Sequence, residues 1–273
     1  MSHAAIARLI SLSARVAIAH RGGSKLKPEN TLAAFERAAA LGVDAIECDV
    51  RLSRDGEVVV IHDDTVDRTT DARGRVADFS ARELAALDAG YRFGAETGFP
   101  CRGQGIGIPR LADALARWPT LPFVVEIKGE RTSDVPRVLE VVREAGALDR
   151  VMIGGFDRDV LQAVRSQAPA LITSASSAEV RAALRRAMLF LRPSPGGYRA
   201  FQVPHVFHGR RVLRRSFVRQ ARRAGLPVHV WVVDEPAEMR TLFDWGVNGL
   251  ISDRPDLAVA VRGDYESSSS RAV

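Results

Sequence analysis

The sequence predicts an α/β fold, a (β/α)8 barrel, and three observations support this. The chain has 273 residues, a length typical of a single barrel domain. Strand-like and amphipathic segments alternate along nearly all of it, as in folds with a parallel sheet. When one strand is assigned to a hairpin, eight candidates remain for the parallel barrel. A doubly wound open sheet is the alternative that the same alternation allows.

Short apolar runs predict the strands, at 16–19, 43–50, 57–61, 123–128, 151–154, 171–174, 200–203, 228–233 and 249–252. The loop at 53–56 is too short for a parallel crossover, so we expect the third strand to pair antiparallel with the second. Amphipathic periodicity predicts helices between the strands, at 31–41, 110–118, 135–145, 217–224 and 237–245.

The barrel domain is predicted to span residues 16–262. Residues 63–109 fit no strand–helix unit and are interpreted as a small insertion after the second strand and its hairpin partner, where insertions usually build the substrate pocket. Residues 1–15 are predicted as an N-terminal helix or extension, with a signal or anchor helix as the alternative. The tail at 263–273, which contains four consecutive serines, is predicted to be disordered.

Composition excludes several classes of protein. With 46% hydrophobic and 26% charged residues, the chain is typical of a soluble globular protein, and it lacks the long apolar run of a membrane span. Cys48 and Cys101 lack the spacing of a zinc or redox site and are too few for a disulfide framework. We therefore expect a reducing, cytoplasmic location, with peripheral contact at the membrane left open.

The charge is distributed unevenly. The net charge is +6, but residues 181–223 contain twelve arginines and no acid, which leaves the rest of the chain at −6. Such a stretch attracts phosphate-bearing partners. No RRM, zinc-finger or KH signature is present, so we expect no nucleic-acid partner. Two interpretations stay open, namely peripheral membrane contact through 181–223 and a helix packed on the barrel with solvated arginines outside.

Candidate catalytic residues lie at the predicted strand ends, where barrel active sites form. His20 and Arg21 follow the first strand. Glu47 and Asp49 are two residues apart in the second strand, so both carboxylates point to one face. Like charges on an interior face require a cation, and oxygen ligands suit Mg²⁺ or Ca²⁺.

Three further positions extend this candidate site. Glu126 and Lys128 share a strand face, where Glu126 would complete a three-carboxylate site and Lys128 would contact a phosphate oxygen. His62 ends the hairpin strand, and two histidines beside inward-facing carboxylates indicate acid–base catalysis. Trp231, near a strand end, is a candidate wall for an organic group. The other histidines are His3, His205 and His208, predicted at the surface, and His229, left open.

Seven motifs follow one another across residues 17–256: AHRGG, PENT, IECDVRLSRDGEVVVIHDDTVDRTT, IPRL, VVEIKG, VWVV and GVNGLISDRPD. Together they resemble the glycerophosphodiester phosphodiesterase family. Two further segments, GQGIGIPR at 103–110 and FQVP at 201–204, resemble the branch of this family related to lysophospholipase D enzymes. The resemblance implies a TIM barrel with an insertion after the second strand. One departure concerns the strand that usually reads W-T-V-N in the family, because Val232 and Asp234 replace its threonine and asparagine here.

The resemblance also implies residue roles. It assigns a divalent metal to Glu47, Asp49 and Glu126. It assigns His20 and His62 as general acid and base, and it places Arg21 and Lys128 on the phosphate. In the mechanism usually proposed for the family, a glycerol hydroxyl of the substrate attacks phosphorus, and water then opens the cyclic phosphate.

Three functions follow from these observations. The first is metal-dependent hydrolysis of glycerophosphodiesters to glycerol 3-phosphate and an alcohol. The second is a lysophospholipase D acting on lysophospholipids at a membrane surface, with the apolar residues 187–191 as an entry for the acyl chain. The third is a non-catalytic barrel that binds phospholipid headgroups, against which the presence of every expected metal and histidine position argues. The oligomeric state stays open.

Overall fold

The computed structural model describes residues 6–194, 196–207 and 209–270. In chain order, the strands are β1 (Val16–Ala19), β2 (Ala45–Leu52), β3 (Val58–Val60), β4 (Phe123–Ile127), β5 (Val151–Gly154), β6 (Ile172–Thr173), β7 (Phe201–Pro204), β8 (Val206–Phe207), β9 (Arg210–Arg211), β10 (Val228–Trp231) and β11 (Gly249–Ser252). The helices are α1 (Leu32–Ala40), α2 (Ala81–Ala86), α3 (Leu111–Arg117), α4 (Val135–Glu144), α5 (Arg158–Gln167), α6 (Ser177–Met188), α7 (Arg215–Arg223), α8 (Pro236–Trp245) and α9 (Pro255–Ser270).

Eight parallel strands form the barrel. Their order is β6-β5-β4-β2-β1-β11-β10-β7, and a parallel bridge between Ser174 and Ala200 joins the two ends. The amide of Ala175 donates to the carbonyl of Ala200 at 3.0 Å, which closes the sheet. The predicted (β/α)8 barrel is therefore confirmed, and the open-sheet alternative is wrong.

The predicted antiparallel hairpin is also present. β3 pairs with β2, with Val60 opposite Val50 and Val58 opposite Leu52. This pairing brings the end of β3 beside the end of β2, so the residue that follows β3 meets those at the barrel mouth. A second hairpin, β8 with β9, was not predicted.

The helices pack their apolar faces on the outer side of the sheet. In β2, Ile46, Cys48 and Val50 point outward into this core, while the residues between them face the barrel interior. Helix starts follow from capping side chains: Thr31 Oγ1 accepts a bond from the amide of Ala34, and Ser176 forms a capping box at the start of α6.

The N-terminal extension closes the bottom of the barrel. Ile6 and Leu9 are fully buried among the side chains that fill the barrel interior. Residues 6–15 form turns rather than the expected helix, with the amide of Leu9 donating to the carbonyl of Ile6 at 2.9 Å. His229 is bonded here through Nε2 to the carbonyl of Leu9 at 2.8 Å, and burial lowers the pKa of His229 to about 4. His229 is therefore a structural histidine.

Three other expectations are corrected. The predicted disorder over 263–273 is wrong for 263–270, because α9 continues to Ser270, while 271–273 lie outside the described residues. His205 is buried, pairs with Glu238 and packs edge-on against Trp245 at 5.9 Å, so its predicted surface position is wrong. His3 and His208 lie outside the described residues.

Both cysteines are buried free thiols. In the described part of the chain, no helix combines the length and the apolar character needed to cross a membrane.

Candidate active site

A cavity of about 400 Å³ lies at the C-terminal ends of the barrel strands. Seven of the eight predicted site residues line it, namely His20, Arg21, Glu47, His62, Glu126, Lys128 and Trp231. The eighth, Asp49, lies directly behind, 2.9 Å from the Lys128 ammonium and 3.2 Å from the Arg21 guanidinium. The strand-end positions predicted from the sequence therefore meet in one place.

Three carboxylates form a compact cluster in this cavity. Glu47, Asp49 and Glu126 each offer an oxygen, and these atoms lie within 4.8 Å of one another. Burial, followed by the charge of Asp49, raises the pKa of Glu47 to about 8. Burial also raises the pKa of Glu126. An all-oxygen donor set that is destabilised by its own charge fits a hard divalent cation such as Mg²⁺ or Ca²⁺.

Lys128 supplies part of the compensating charge. Its Nζ lies 2.9 Å from Asp49 and 2.5 Å from Glu126, so it bridges two carboxylates rather than standing apart from them. Burial opposes ionisation of Asp49, but the charges of Lys128 and Arg21 outweigh it and lower the pKa of Asp49. The three carboxylates face two cations, and one of these, Arg21, is shared with Glu29.

The turn after β1 places His20 and Arg21 over these acids. The amide of Arg21 donates to Glu47 Oε2 at 2.9 Å. Arg21 has φ 52° and Gly22 has φ 81°, and a Cβ on Gly22 would lie 2.7 Å from the Phe35 ring. Only glycine fits this close approach to α1, which explains the HRGG motif.

Asn30 and Thr31 have separate tasks in the loop before α1. Asn30 Nδ2 donates to Asp49 Oδ2 at 2.8 Å, and the amide of Asp49 donates to Asn30 Oδ1 at 3.2 Å. Thr31, by contrast, caps α1. Asn30 therefore orients the carboxylate of Asp49, a contact that the sequence analysis did not assign.

His20 is held by an aspartate from the far end of the chain. Its Nδ1 lies 2.6 Å from Asp253 Oδ1, and its Nε2 lies 4.0 Å from Glu47. Burial lowers the pKa of His20, but the hydrogen bond to Asp253 and the charge of Glu47 outweigh it, so the net shift is upward. Asp253 is a site residue that the sequence analysis missed, although it belongs to the quoted DRPD motif.

Asp234 holds the loop that carries Asp253. Its Oδ1 accepts bonds from the Ser252 hydroxyl at 2.9 Å and from the Asp253 amide at 2.8 Å. Its Oδ2 lies 2.9 Å from the ammonium of Lys25. The acid that departs from the family's usual asparagine is thus accommodated by donors and by a lysine.

His62 is anchored in the same way by its neighbour. Its Nδ1 lies 2.6 Å from Asp63 Oδ1, which leaves Nε2 available to a ligand in the cavity. Burial is the largest influence and lowers the pKa of His62, with the charges of Lys128 and Arg21 acting in the same direction. The two histidines are therefore shifted in opposite directions.

Arg68 connects the two halves of the site from within the insertion. Its Nε donates to Asp63 at 2.6 Å, and its two terminal nitrogens donate to Glu29 at 2.8 and 2.7 Å. Glu29 in turn accepts a bond from Arg21 at 2.8 Å. Among the described residues, none from 63–109 lines the cavity, so the expectation that the insertion builds the pocket is wrong. It supports the site through Arg68 instead.

Part of the cavity wall is apolar. Phe156 and Trp231 meet edge-to-face there, with ring centroids 5.8 Å apart. The sequence predicted only Trp231 in this role, because helix and loop residues of this type are usually core. The apolar lining consists of Val124, Phe156, Ala175, Val180, Leu184, Pro204, Val212, Trp231 and Ile251.

Comparison with known proteins gives a consistent answer. Residues 20–257 match the glycerophosphoryl diester phosphodiesterase family. A glycerophosphodiester phosphodiesterase of Caldanaerobacter subterraneus is 34% identical over 254 residues, covering 89% of this chain and 95% of that protein. A putative glycerophosphoryl diester phosphodiesterase of Silicibacter pomeroyi superposes with a TM-score of 0.79 at 26% identity, covering 95% and 98% of the two chains.

A further solved structure carries a ligand. It is a phosphodiesterase of Oleispira antarctica in complex with the product sn-glycerol-3-phosphate, with a TM-score of 0.72 and 25% identity, covering 89% of this chain and 95% of that one. The family match covers most of the chain and includes every residue of the site described above. The chain belongs to the glycerophosphoryl diester phosphodiesterase family.

Proposed function

We propose that this protein hydrolyses glycerophosphodiesters to glycerol 3-phosphate and an alcohol, using a divalent cation and two histidines. One observation carries the proposal: two aspartate-anchored histidines flank a three-carboxylate cluster in a single cavity. The product bound to the Oleispira antarctica phosphodiesterase supports the substrate class. A barrel that only bound phospholipid headgroups would not need two histidines oriented in this way.

The cation would be held by Glu47, Asp49 and Glu126. When bound, Mg²⁺ or Ca²⁺ supplies Lewis-acid stabilisation of charge on a phosphoryl oxygen. The chain contributes the orientation of the ligands. The Arg21 amide fixes Glu47, and the side chain of Asn30 fixes Asp49. These contacts present the carboxylate oxygens before any cation arrives.

The two histidines divide the proton transfers. His62 accepts the proton of the glycerol hydroxyl that attacks phosphorus, and His20 donates a proton to the oxygen of the departing alcohol. This step forms a cyclic phosphate. Water then opens the ring with the roles reversed, which restores both histidines. The opposite pKa directions of the two side chains agree with this assignment.

Arg21 and Lys128 offset the charge of the phosphate. A phosphodiester gains negative charge toward the transition state, and positive side chains already fixed in place stabilise that charge without reorganisation. Arg21 is held by Glu29, and Lys128 by Asp49 and Glu126. Both line the cavity beside the histidines.

A second candidate is the hydrolysis of lysophospholipids, and the apolar wall favours it. A water-soluble headgroup alone has little use for Phe156, Val180 and Leu184, whereas an acyl chain would bury against them. The bond cleaved is the same headgroup phosphodiester. Peripheral contact with a membrane through residues 181–223 belongs to this candidate, since its substrate resides in membranes.

Phosphorus NMR of the two reactions tests the proposal. The protein is incubated with glycerophosphocholine and with lysophosphatidylcholine, each with and without chelator. Turnover of glycerophosphocholine that chelator abolishes is expected for the first candidate, and preferential turnover of the lysolipid for the second. Turnover of neither substrate with Mg²⁺ or Ca²⁺ present would contradict both.

A further inference from the structure

We propose that the C-terminal end of α6 docks on an anionic lipid bilayer and feeds lysophospholipid into the cavity. The docking surface consists of residues 188–191, which we call the α6 tip, and the arginines around it. Met188, Leu189, Phe190 and Leu191 are 67%, 70%, 72% and 47% exposed. The inference rests on the second candidate function above and adds the partner and the route of entry.

The α6 tip is a defined turn. The amides of Leu189 and Leu191 both donate to the carbonyl of Arg186 at 3.0 Å, and the amide of Phe190 donates to the carbonyl of Ala187 at 3.1 Å. The Arg186 guanidinium donates to the carbonyl of Arg192 at 2.7 Å and so closes the turn. Four consecutive large apolar side chains are thereby held outward, an arrangement that marks interaction surfaces.

The charges around the α6 tip favour a lipid surface. Arg185 and Arg192 flank it, and both are exposed. Apart from Arg210, whose side chain is not described, no arginine of 181–223 forms an ion pair with a carboxylate of the described residues. Several exposed arginines elsewhere are paired, for example Arg54 with Glu83 and Arg117 with Glu36. Unpaired arginines around the α6 tip are complementary to the anionic headgroups of a bilayer, and the apolar side chains of the tip are complementary to the acyl chains beneath them.

The α6 tip is connected to the cavity along one helix face. Val180 and Leu184 line the cavity, and Met188 follows at the same four-residue spacing, so the three share a side of α6. An acyl chain leaving a bilayer at Met188 would therefore meet apolar side chains as far as the catalytic cavity. Arg181, the residue after Val180, also lines the cavity.

Vesicle sedimentation with the full chain tests the docking. We expect more protein to pellet with phosphatidylglycerol vesicles than with phosphatidylcholine vesicles, and the difference to shrink as salt is raised. Arg185→Glu should weaken partitioning by at least about five-fold, the effect of one basic residue near such a surface. The double variant Leu189→Ser/Phe190→Ser should reduce pelleting on both vesicle types. Arg82→Glu, the same charge change on the insertion, is the matched control and should bind as wild type.

Activity measurements separate this inference from the proposed function. Both Arg185→Glu and Leu189→Ser/Phe190→Ser should lose lysophosphatidylcholine turnover in vesicles while retaining glycerophosphocholine turnover. Equal pelleting of wild type with both vesicle types would overturn the docking even if glycerophosphocholine is hydrolysed. Concentration-dependent dimers that the serine substitutions abolish would assign the tip to a second copy and also overturn it. Failure of wild type to hydrolyse either substrate, with vesicle binding intact, would contradict only the proposed function.

Discussion

The barrel mouth and the arginine-rich stretch 181–223 differ in whether their cationic side chains are paired with carboxylates. At the mouth, the largely buried cations Arg21 and Lys128 each lie within 3.2 Å of a carboxylate. In 181–223, the arginines whose side chains are described, all but Arg210, have no carboxylate partner. Buried charges must be paired because desolvation is expensive, whereas an exposed guanidinium keeps its hydration. The cations at the mouth therefore act on a substrate from fixed positions at short range. The arginines of 181–223 act instead through the positive potential that they create at the surface.

The difference predicts which substitutions abolish the reaction and which only change the choice of substrate. Each group at the mouth holds another, so a single change disturbs several contacts. Each exposed arginine acts almost independently, so its removal has a small and salt-dependent effect.

The largest effect is expected for the carboxylate cluster. Asp49→Asn should reduce kcat on the order of 10⁴-fold or more, because it removes a proposed metal ligand and the partner of Lys128 and Asn30. The fold should persist, since the change opens no cavity. Steady-state kinetics with circular dichroism checks this. Wild-type activity of Asp49→Asn in the presence of chelator would show that no cation is held there.

Removing either histidine should have the next largest effect. His20→Ala and His62→Ala are each expected to lower kcat by roughly 10² to 10⁴, the usual contribution of a general acid or base, with smaller changes in KM. His205→Ala is the control, because His205 is buried, packs against Trp245 and is not one of the residues that line the cavity. It should lower thermal stability but leave the kcat of the folded enzyme near wild type. Similar losses of kcat in all three would indicate an effect through folding.

Arg68→Lys tests whether the insertion supports the mouth through one side chain. An ammonium cannot reproduce the fork that joins Asp63 to Glu29, so His62 and Arg21 should both lose part of their orientation. We expect kcat to fall by about 10- to 100-fold with little change in KM. Kinetics on glycerophosphocholine measures this, with Arg82→Lys as the matched control on the same insertion. A loss confined to KM would mean that Arg68 acts on substrate binding instead.

The pH dependence of stability tests the charge balance of the cluster. The folded-state pKa of Glu47 is raised to about 8, above its usual value of 4.5. The protonated form is therefore favoured by folding, and the stability of the metal-free protein should fall as pH rises from about 4.5 through 8. The melting temperature in chelator should drop by roughly a few degrees over this window. Glu47→Gln should reduce that dependence, and the raised pKa values of Glu126 and His20 account for the remainder. An unchanged slope in this variant would contradict the assignment to Glu47.

The charged residues of the site were largely predictable, because each sits on a strand or at its end in a motif with a clear spacing. Their supporting groups were not, since Asp253 reaches His20 across 233 positions and Arg68 meets Glu29 across 39. Such pairs depend on where loops converge, which periodicity does not reveal. The apolar wall was missed for another reason: Val180 and Leu184 have the spacing of ordinary core residues on a helix.

At both ends of the chain, amino-acid composition alone predicted the local structure incorrectly. The serines at 267–270 suggested disorder, yet they extend a helix that begins at Pro255 and packs Tyr265 near Phe243, with ring centroids 5.4 Å apart. At the other end, residues 1–15 were predicted as a helix or extension, but Ile6 and Leu9 lie in a turn and fill the bottom of the barrel. In each case tertiary packing outweighs local sequence preference.

The smallest expected effect distinguishes the two substrate classes at the apolar wall. Leu184 is half-buried and lines the cavity. Leu184→Ser should lower kcat/KM for lysophosphatidylcholine by about ten-fold, the loss expected when one partly buried leucine no longer contacts an acyl chain. Turnover of glycerophosphocholine should stay within about two-fold of wild type, since that substrate has no chain to bury. Ala182→Ser, on the exposed side of the same helix, is the matched control and should change neither value. Equal losses on both substrates would mean that the apolar wall shapes the fold of the mouth, and the lysolipid candidate would lose the observation that favours it.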